Sequence, residues 1–136
     1  MKKKILLPVL ALGLLLVTPL SAYAEGWVKS GSDWTYLDKN NNKITNEWRK
    51  GADDKWRYLN DAGVMATDSW VDDDKYYVDT QGLIVEGWRK LKDRGEDYWA
   101  YFQAGGKAVK GNWKSINNQY YYFDEDGKML DRKSVV

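Results

Sequence analysis

The chain has 136 residues, a net charge of +1, and neither histidine nor cysteine. That length holds one domain or one array of small units. The charge offers no basic field for nucleic acid, and the missing residue types exclude Ser-His and Cys-His nucleophiles, disulfides and the usual zinc sites.

The first element is a leader. Met1-Lys2-Lys3-Lys4 is a positive start, Ile5 to Val17 is apolar, and Ser21-Ala22-Tyr23-Ala24 places small residues where a signal peptidase reads. A signal peptide over 1–24, cleaved after Ala24, is expected. The apolar run is too short for a membrane span and Thr18-Pro19 breaks it, so no transmembrane segment is expected after cleavage. Loss of Lys2, Lys3 and Lys4 takes the 21 basic residues to 18, against 20 acidic ones. An exported small fold without disulfides needs another source of cohesion. The aromatics are the candidates: eight Trp and ten Tyr against two Phe. Large rings with polar tips suit half-exposed packing and binding surfaces.

Beyond the leader the chain repeats itself. The steps Tyr36-Leu37, Tyr58-Leu59, Tyr77-Val78, Tyr101-Phe102 and Tyr122-Phe123 are 22, 19, 24 and 21 residues apart. Two positions before each Tyr stand Trp34, Trp56, Lys75, Trp99 and Tyr120. Five positions after it come Gly63, Gly82, Gly106 and Gly127, followed by Met65, Ile84, Ala108 and Met129. In the first repeat the run Asn40-Asn41-Asn42 replaces the glycine, with about one extra residue, which aligns Ile44 with Met65. A further Trp opens each repeat: Trp27, Trp48, Trp70, Trp88 and Trp113. Five repeats are therefore expected within a domain over 25–131, at 26–46, 47–68, 69–86, 87–110 and 111–131, with a tail at 132–136. Leu91 to Asp97 reads as an insertion ahead of the fourth hairpin.

Each repeat has the pattern of a β-hairpin. In Trp56-Arg57-Tyr58-Leu59, alternation places Trp56 and Tyr58 on one face and Arg57 and Leu59 on the other. Asn60-Asp61-Ala62-Gly63 makes the turn to Val64-Met65, with Gly63 supplying a positive φ. One such hairpin cannot bury a core, but stacked copies can. With no sustained helical stripe after the leader, the expected fold is all-β, a solenoid of about five stacked β-hairpin repeats.

Rings recurring in this way can be core or binding surface. Leu59 and Met65 read as packing and floor. Three rings around a gap suit a quaternary ammonium, whose diffuse charge faces the π clouds; the same surface can stack on sugars.

Gly-Trp, then Trp-x-Tyr-apolar, then Gly-x-Met, in repeats of about twenty residues, resembles the choline-binding or cell-wall-binding repeat of Gram-positive bacteria and their phages. The fullest matches are EWRKGADDKWRYLNDAGVMAT and NWKSINNQYYYFDEDGKML, and the resemblance covers essentially the whole chain after the leader. It implies a left-handed solenoid that holds proteins on the choline of teichoic acids; related repeats in glucosyltransferases and clostridial toxins bind glucans or surface sugars. It also implies cages built from the two Trp of one repeat and the Tyr of the next. These are Trp27, Trp34 and Tyr58; Trp48, Trp56 and Tyr77; and Trp88, Trp99 and Tyr122. The third seam would combine Trp70, Lys75 and Tyr101, and its lysine would repel choline unless Tyr76 substitutes. Trp113 and Tyr120 form an incomplete site that only a partner chain could complete, so a homodimer through the last repeat is an option.

No catalytic residue, cofactor or metal is expected. Asp72-Asp73-Asp74 and Asp124-Glu125-Asp126 read as turn formers, and the stretch 38–42 lacks a calcium-loop pattern. Arg49-Lys50 and Arg89-Lys90 read as exposed. The expected protein is a secreted, cell-wall-associated, non-catalytic binding module for choline on teichoic acids. The other reading is a glucan-binding, adhesion or structural repeat protein.

Overall fold

The computed structural model describes residues 24–130. Apart from Ala24 the expected leader lies outside them, as does the tail 132–136. Ten strands are present and no helix occurs among the described residues. They are β1 (Gly26–Ser30), β2 (Asp33–Leu37), β3 (Glu47–Lys50), β4 (Trp56–Leu59), β5 (Ser69–Val71), β6 (Tyr76–Val78), β7 (Gly87–Asp93), β8 (Glu96–Phe102), β9 (Asn112–Ile116) and β10 (Gln119–Phe123). Each odd-numbered strand pairs with the next, giving five two-stranded sheets. The all-β, five-hairpin expectation holds. The chain divides into two compact units. Among the described residues, one comprises those up to Asp72 with Val78–Leu83, the other Asp73–Tyr77 with those from Ile84 to Leu130.

The hairpins are not the ones the sequence pattern implied. β4 pairs with the opening strand β3, so that Trp48 faces Tyr58 and Lys50 faces Trp56. Its tip lies at 51–55, closed by the Gly51 N–H donating to the Lys55 carbonyl at 2.8 Å. The Asn60–Gly63 turn comes after this ladder and brings Met65 to an isolated bridge with Leu59. Length decides between the two pairings. Val64-Met65 can contribute only a bridge, whereas β3 offers four residues. Leu91 to Asp97 is likewise not an insertion ahead of a hairpin. Leu91 to Asp93 extend β7, Glu96 and Asp97 start β8, and Arg94-Gly95 turn between them with φ of 53° and 85°. Both central residues at positive φ match the turn whose twist suits antiparallel strands.

In four of the five repeats the second turn is held by a side-chain oxygen, and in the fourth repeat the Gln103 amide donates to the Lys107 carbonyl instead. One oxygen of Asp38, Asn60, Asp79 or Asp124 accepts the backbone N–H groups two and four residues on. The residue three positions on has positive φ: Asn41 at 67°, Gly63 at 76°, Gly82 at 78° and Gly127 at 84°. Asn41 therefore occupies the glycine position in register, and the first repeat has no extra residue. Lys43, not Ile44, is the counterpart of Met65, because it bridges Leu37 as Met65 bridges Leu59. Ile44 instead donates its N–H to the Tyr36 carbonyl, as Ala66 does to Tyr58. Since Asn60 does the same work as the aspartates, Asp79→Asn is expected to leave stability unchanged. Asp79→Ala should cost about 1–2 kcal/mol for its two hydrogen bonds, read from urea denaturation.

Successive repeats are joined through the backbone. The Met65 N–H donates to the Trp34 carbonyl at 2.7 Å, Ala108 to Lys75 at 2.9 Å, and Met129 to Trp99 at 2.8 Å. Lys75 thus holds the same place in its repeat as Trp34 and Trp99. The core follows the same period. Leu59 and Val78 are fully buried in the first unit, Phe102 and Phe123 in the second, and each such side chain contributes about 1.5–3 kcal/mol by leaving water.

Candidate ligand site

Alternation along four of the hairpins puts four side chains on one face: the opening Trp, the residue two beyond it, and their cross-strand partners. In the fourth repeat Trp88 faces Tyr101 and Lys90 faces Trp99. Trp88 gathers four rings. Trp99 stands at 6.1 Å and 89°, Tyr101 at 5.2 Å and 68°, Tyr121 at 5.0 Å and 79°, and Phe123 at 5.8 Å and 38°. Edge-to-face packing of this kind suits the ring quadrupoles. Met129 packs against the same cluster. Trp99 remains 42% exposed, so the group is open to solvent on that side.

The ring of the fifth repeat that packs on Trp88 is Tyr121. Tyr122 is opposite Trp113 in the ladder and lies edge-on to it at 5.3 Å. Parity explains the two contacts. Rings that share a face with their own opening Trp turn toward it, while the alternate residues, Tyr121 and Phe123, meet the preceding repeat.

The first unit shows the same parity with different chemistry. Trp27 lies 5.4 Å from Tyr36 at 89°, and Trp48 lies 5.0 Å from Tyr58 at 69°. Tyr58 thus packs on Trp48 in its own hairpin and is buried to 8% exposure. The place that Tyr121 takes in the fifth repeat belongs here to Arg57, opposite Arg49. Arg57 holds Asp53 through both nitrogens, at 2.7 and 2.8 Å. These bonds keep the Asp53 carboxyl below its usual range. Arg49 is half-buried, not exposed as the sequence implied: its guanidinium lies over the Tyr36 ring at 5.4 Å. Burial raises the Tyr36 phenol, the Glu25 carboxylate adds to this, and Arg49 opposes it. Indole N–H groups tie the repeats further. Trp27 donates to the Lys50 carbonyl at 2.8 Å and Trp48 to Asp72 Oδ2 at 3.0 Å.

A feature the sequence reading missed recurs on the outer rings. Lys29 lies over Trp34, Lys50 over Trp56 and Lys90 over Trp99, at 5.9, 5.4 and 5.9 Å. The signal was Trp-x-Lys in three repeats: a lysine two residues from the opening Trp must share its face.

The remaining expected residues are distributed as follows. Trp48, Trp56 and Trp70 belong to the first unit; Lys75, Tyr76 and Tyr77 belong to the second, where Tyr77 lies 6.3 Å from Phe102. Trp113 and Tyr120 are exposed at 44% and 66%. Asp72, Asp73 and Asp74 take consecutive left-handed conformations with φ of 57–58°, a role that aspartate tolerates better than most residues. No cluster of three or more potential metal ligands occurs among the described residues.

Aromatic hairpins closed by side-chain-capped turns, with rings gathered where one repeat meets the next, define a repeat binding module. Residues 42–83 match the choline-binding repeat and residues 111–129 match a cell wall binding repeat, and these segments are repeats of that family, as the resemblance implied. Glucosyltransferase-I of Streptococcus downei is 31% identical over 86 residues, which are 62% of this chain and 5% of that protein. Choline binding protein F of Streptococcus pneumoniae is similar in structure, with a TM-score of 0.57 and 31% identity over 79% of this chain and 35% of that one. The autolysin LytC of Streptococcus pneumoniae shares the fold, with a TM-score of 0.61 and 23% identity over 80% of this chain and 27% of that one. The chain thus spans a small fraction of each.

Proposed function

We propose that the chain is an exported, non-catalytic module that attaches to a Gram-positive cell envelope by enclosing the choline of teichoic acids between Trp88, Trp99 and Tyr121. The observation that carries this reading is the meeting of Trp88 with Trp99 on its own hairpin and with Tyr121 of the next repeat. Lys90 already lies over the Trp99 ring at 5.9 Å, so this is a ring that takes a cation; a trimethylammonium group would exchange with that exposed lysine, with Met129 adding carbon beside the cluster. The choline-binding repeat match over residues 42–83 supports the ligand class, and the cell wall binding repeat match over 111–129 includes Tyr121.

A second reading takes glucan as the ligand. It is favoured by the match to a glucosyltransferase and by the exposed indole of Trp99, a surface on which a sugar ring can stack. One experiment separates the two. The chain is expected to be retained on a choline-type resin and released by free choline, and to pass through a glucan column. Retention on glucan alone would replace the first reading with the second.

A further inference from the structure

The first and last seams use the same backbone register to opposite ends. In the last, the alternate position of the incoming strand carries Tyr121, which packs on Trp88 at 5.0 Å. Its cross-strand neighbour Lys114 reaches Gln103 Oε1 at 3.2 Å. In the first, the corresponding positions are Arg57 and Arg49. Arg57 is neutralised by Asp53 at 2.7 Å and Arg49 by Glu47 at 2.9 Å. Arg49 Nη1 also donates to the Trp48 carbonyl at 2.9 Å. So anchored, its guanidinium covers Tyr36 at 5.4 Å, and Tyr36 is the ring against which Trp27 packs edge-on.

We infer that Arg49 is the resident cation of the first seam, that it closes this seam to external quaternary ammonium ligands, and that it thereby sets how many such ligands the chain takes up. A guanidinium on a ring face satisfies the quadrupole that choline would otherwise seek. Lys29 over Trp34 and Lys90 over Trp99 do so more loosely, at 5.9 Å, and Lys90 is the more exposed side chain with the longer ion pair, at 3.9 Å against 2.9 Å for Arg49. Three further features hold Arg49 in place: its ion pair, its hydrogen bond to a carbonyl and its partial burial. An arriving trimethylammonium ion would have to expel a tethered cation whose charge is already matched. Because both charges of the Arg49–Arg57 pair are met within the chain, the seam also offers no free charge to an anion. Trp27 and Trp34, chosen from the sequence as cage walls, then serve the junction of two repeats, while ligand is left to the rings around Trp88.

This inference rests on the ammonium-cage reading above, and the test separates the two. Indole N–H resonances of the full chain are followed by NMR during titration with tetramethylammonium chloride. In the wild-type protein the signals of Trp88 and Trp99 are expected to move while those of Trp27 and Trp34 stay. In Arg49→Met, which keeps length and apolar contact but no charge, the Trp27 signal is expected to move as well. Movement of Trp27 or Trp34 in the wild type would overturn the inference, as would an unmoved Trp27 in a folded Arg49→Met protein. Unmoved Trp88 and Trp99 in the wild type would instead remove the cage reading of the last seam. A readout without ligand guards against misfolding: losing the Arg49 cation should raise the Tyr36 phenol pKa further, seen in ¹³C spectra of labelled tyrosine. An unchanged Tyr36 titration would show that Arg49 does not occupy that face, and would equally overturn the inference.

Discussion

Trp88→Ala is expected to abolish retention on a choline-type resin and to destabilise the second unit by about 3 kcal/mol. The two effects share one origin. Trp88 is the ring that touches Trp99, Tyr101, Tyr121 and Phe123, so its removal takes away a cage wall and undercuts the fully buried Phe123. The stability loss belongs at the lower end of the range for large aromatic deletions because Trp88 is only half-buried. Two further variants separate the effects. Trp99→Leu and Tyr121→Leu remove a ring but keep an apolar side chain, at a position that for Trp99 is already 42% exposed, so each should lower unfolding stability less than Trp88→Ala does. Each should still weaken choline binding about tenfold, the loss expected from one cation–π wall. Trp27→Ala, in the seam that Arg49 fills, should lower stability but leave retention intact. Unchanged retention in a folded Trp88→Ala protein would show that the ligand is held elsewhere.

Gly106→Ala should cost about 3 kcal/mol, against about 1–2 kcal/mol for Gly105→Ala in the same turn. Both glycines have positive φ, 101° and 91°, so both substitutions carry backbone strain. They differ in what a β-carbon would meet. At Gly105 there is nothing within 4 Å, whereas at Gly106 it would collide with Ile84 Cγ2 and press on Tyr76 Cδ1 at 3.3 Å. Urea denaturation of the two variants measures the difference. Equal costs would mean that the turn yields freely and that its approach to Ile84 is not a tight one.

Much of this architecture was legible because it rests on period and turn chemistry. Five Tyr-apolar steps gave the repeat count, and Gly63, Gly82 and Gly127 marked turns that need positive φ. Strand pairing was harder to read. The eye follows Trp56-Arg57-Tyr58-Leu59 forward into its turn, but the ladder runs backward to Glu47–Lys50, since hydrogen-bond count favours the longer partner. The cage was half legible for the same reason. That Trp88 and Trp99 share a face follows from alternation. Which residue of Tyr120-Tyr121-Tyr122 approaches from the next repeat depends on which sheet face is presented, and a shift of one residue reverses that answer. Arg49 was hidden in another way, because a lone arginine beside a lysine reads as solvated until the ring beneath it is seen.

The bonds from Met65 to Trp34, Ala108 to Lys75 and Met129 to Trp99 involve main-chain atoms alone. Lysine serves there as well as tryptophan does, so the scaffold is indifferent to what the array recognises. Selection can therefore rewrite the wall positions one repeat at a time, silencing one pocket or retuning another, while the geometry that presents them is inherited unchanged. Valency and specificity then drift independently of folding, and a stretch of chain that has lost its own ligand continues to earn its place as a spacer.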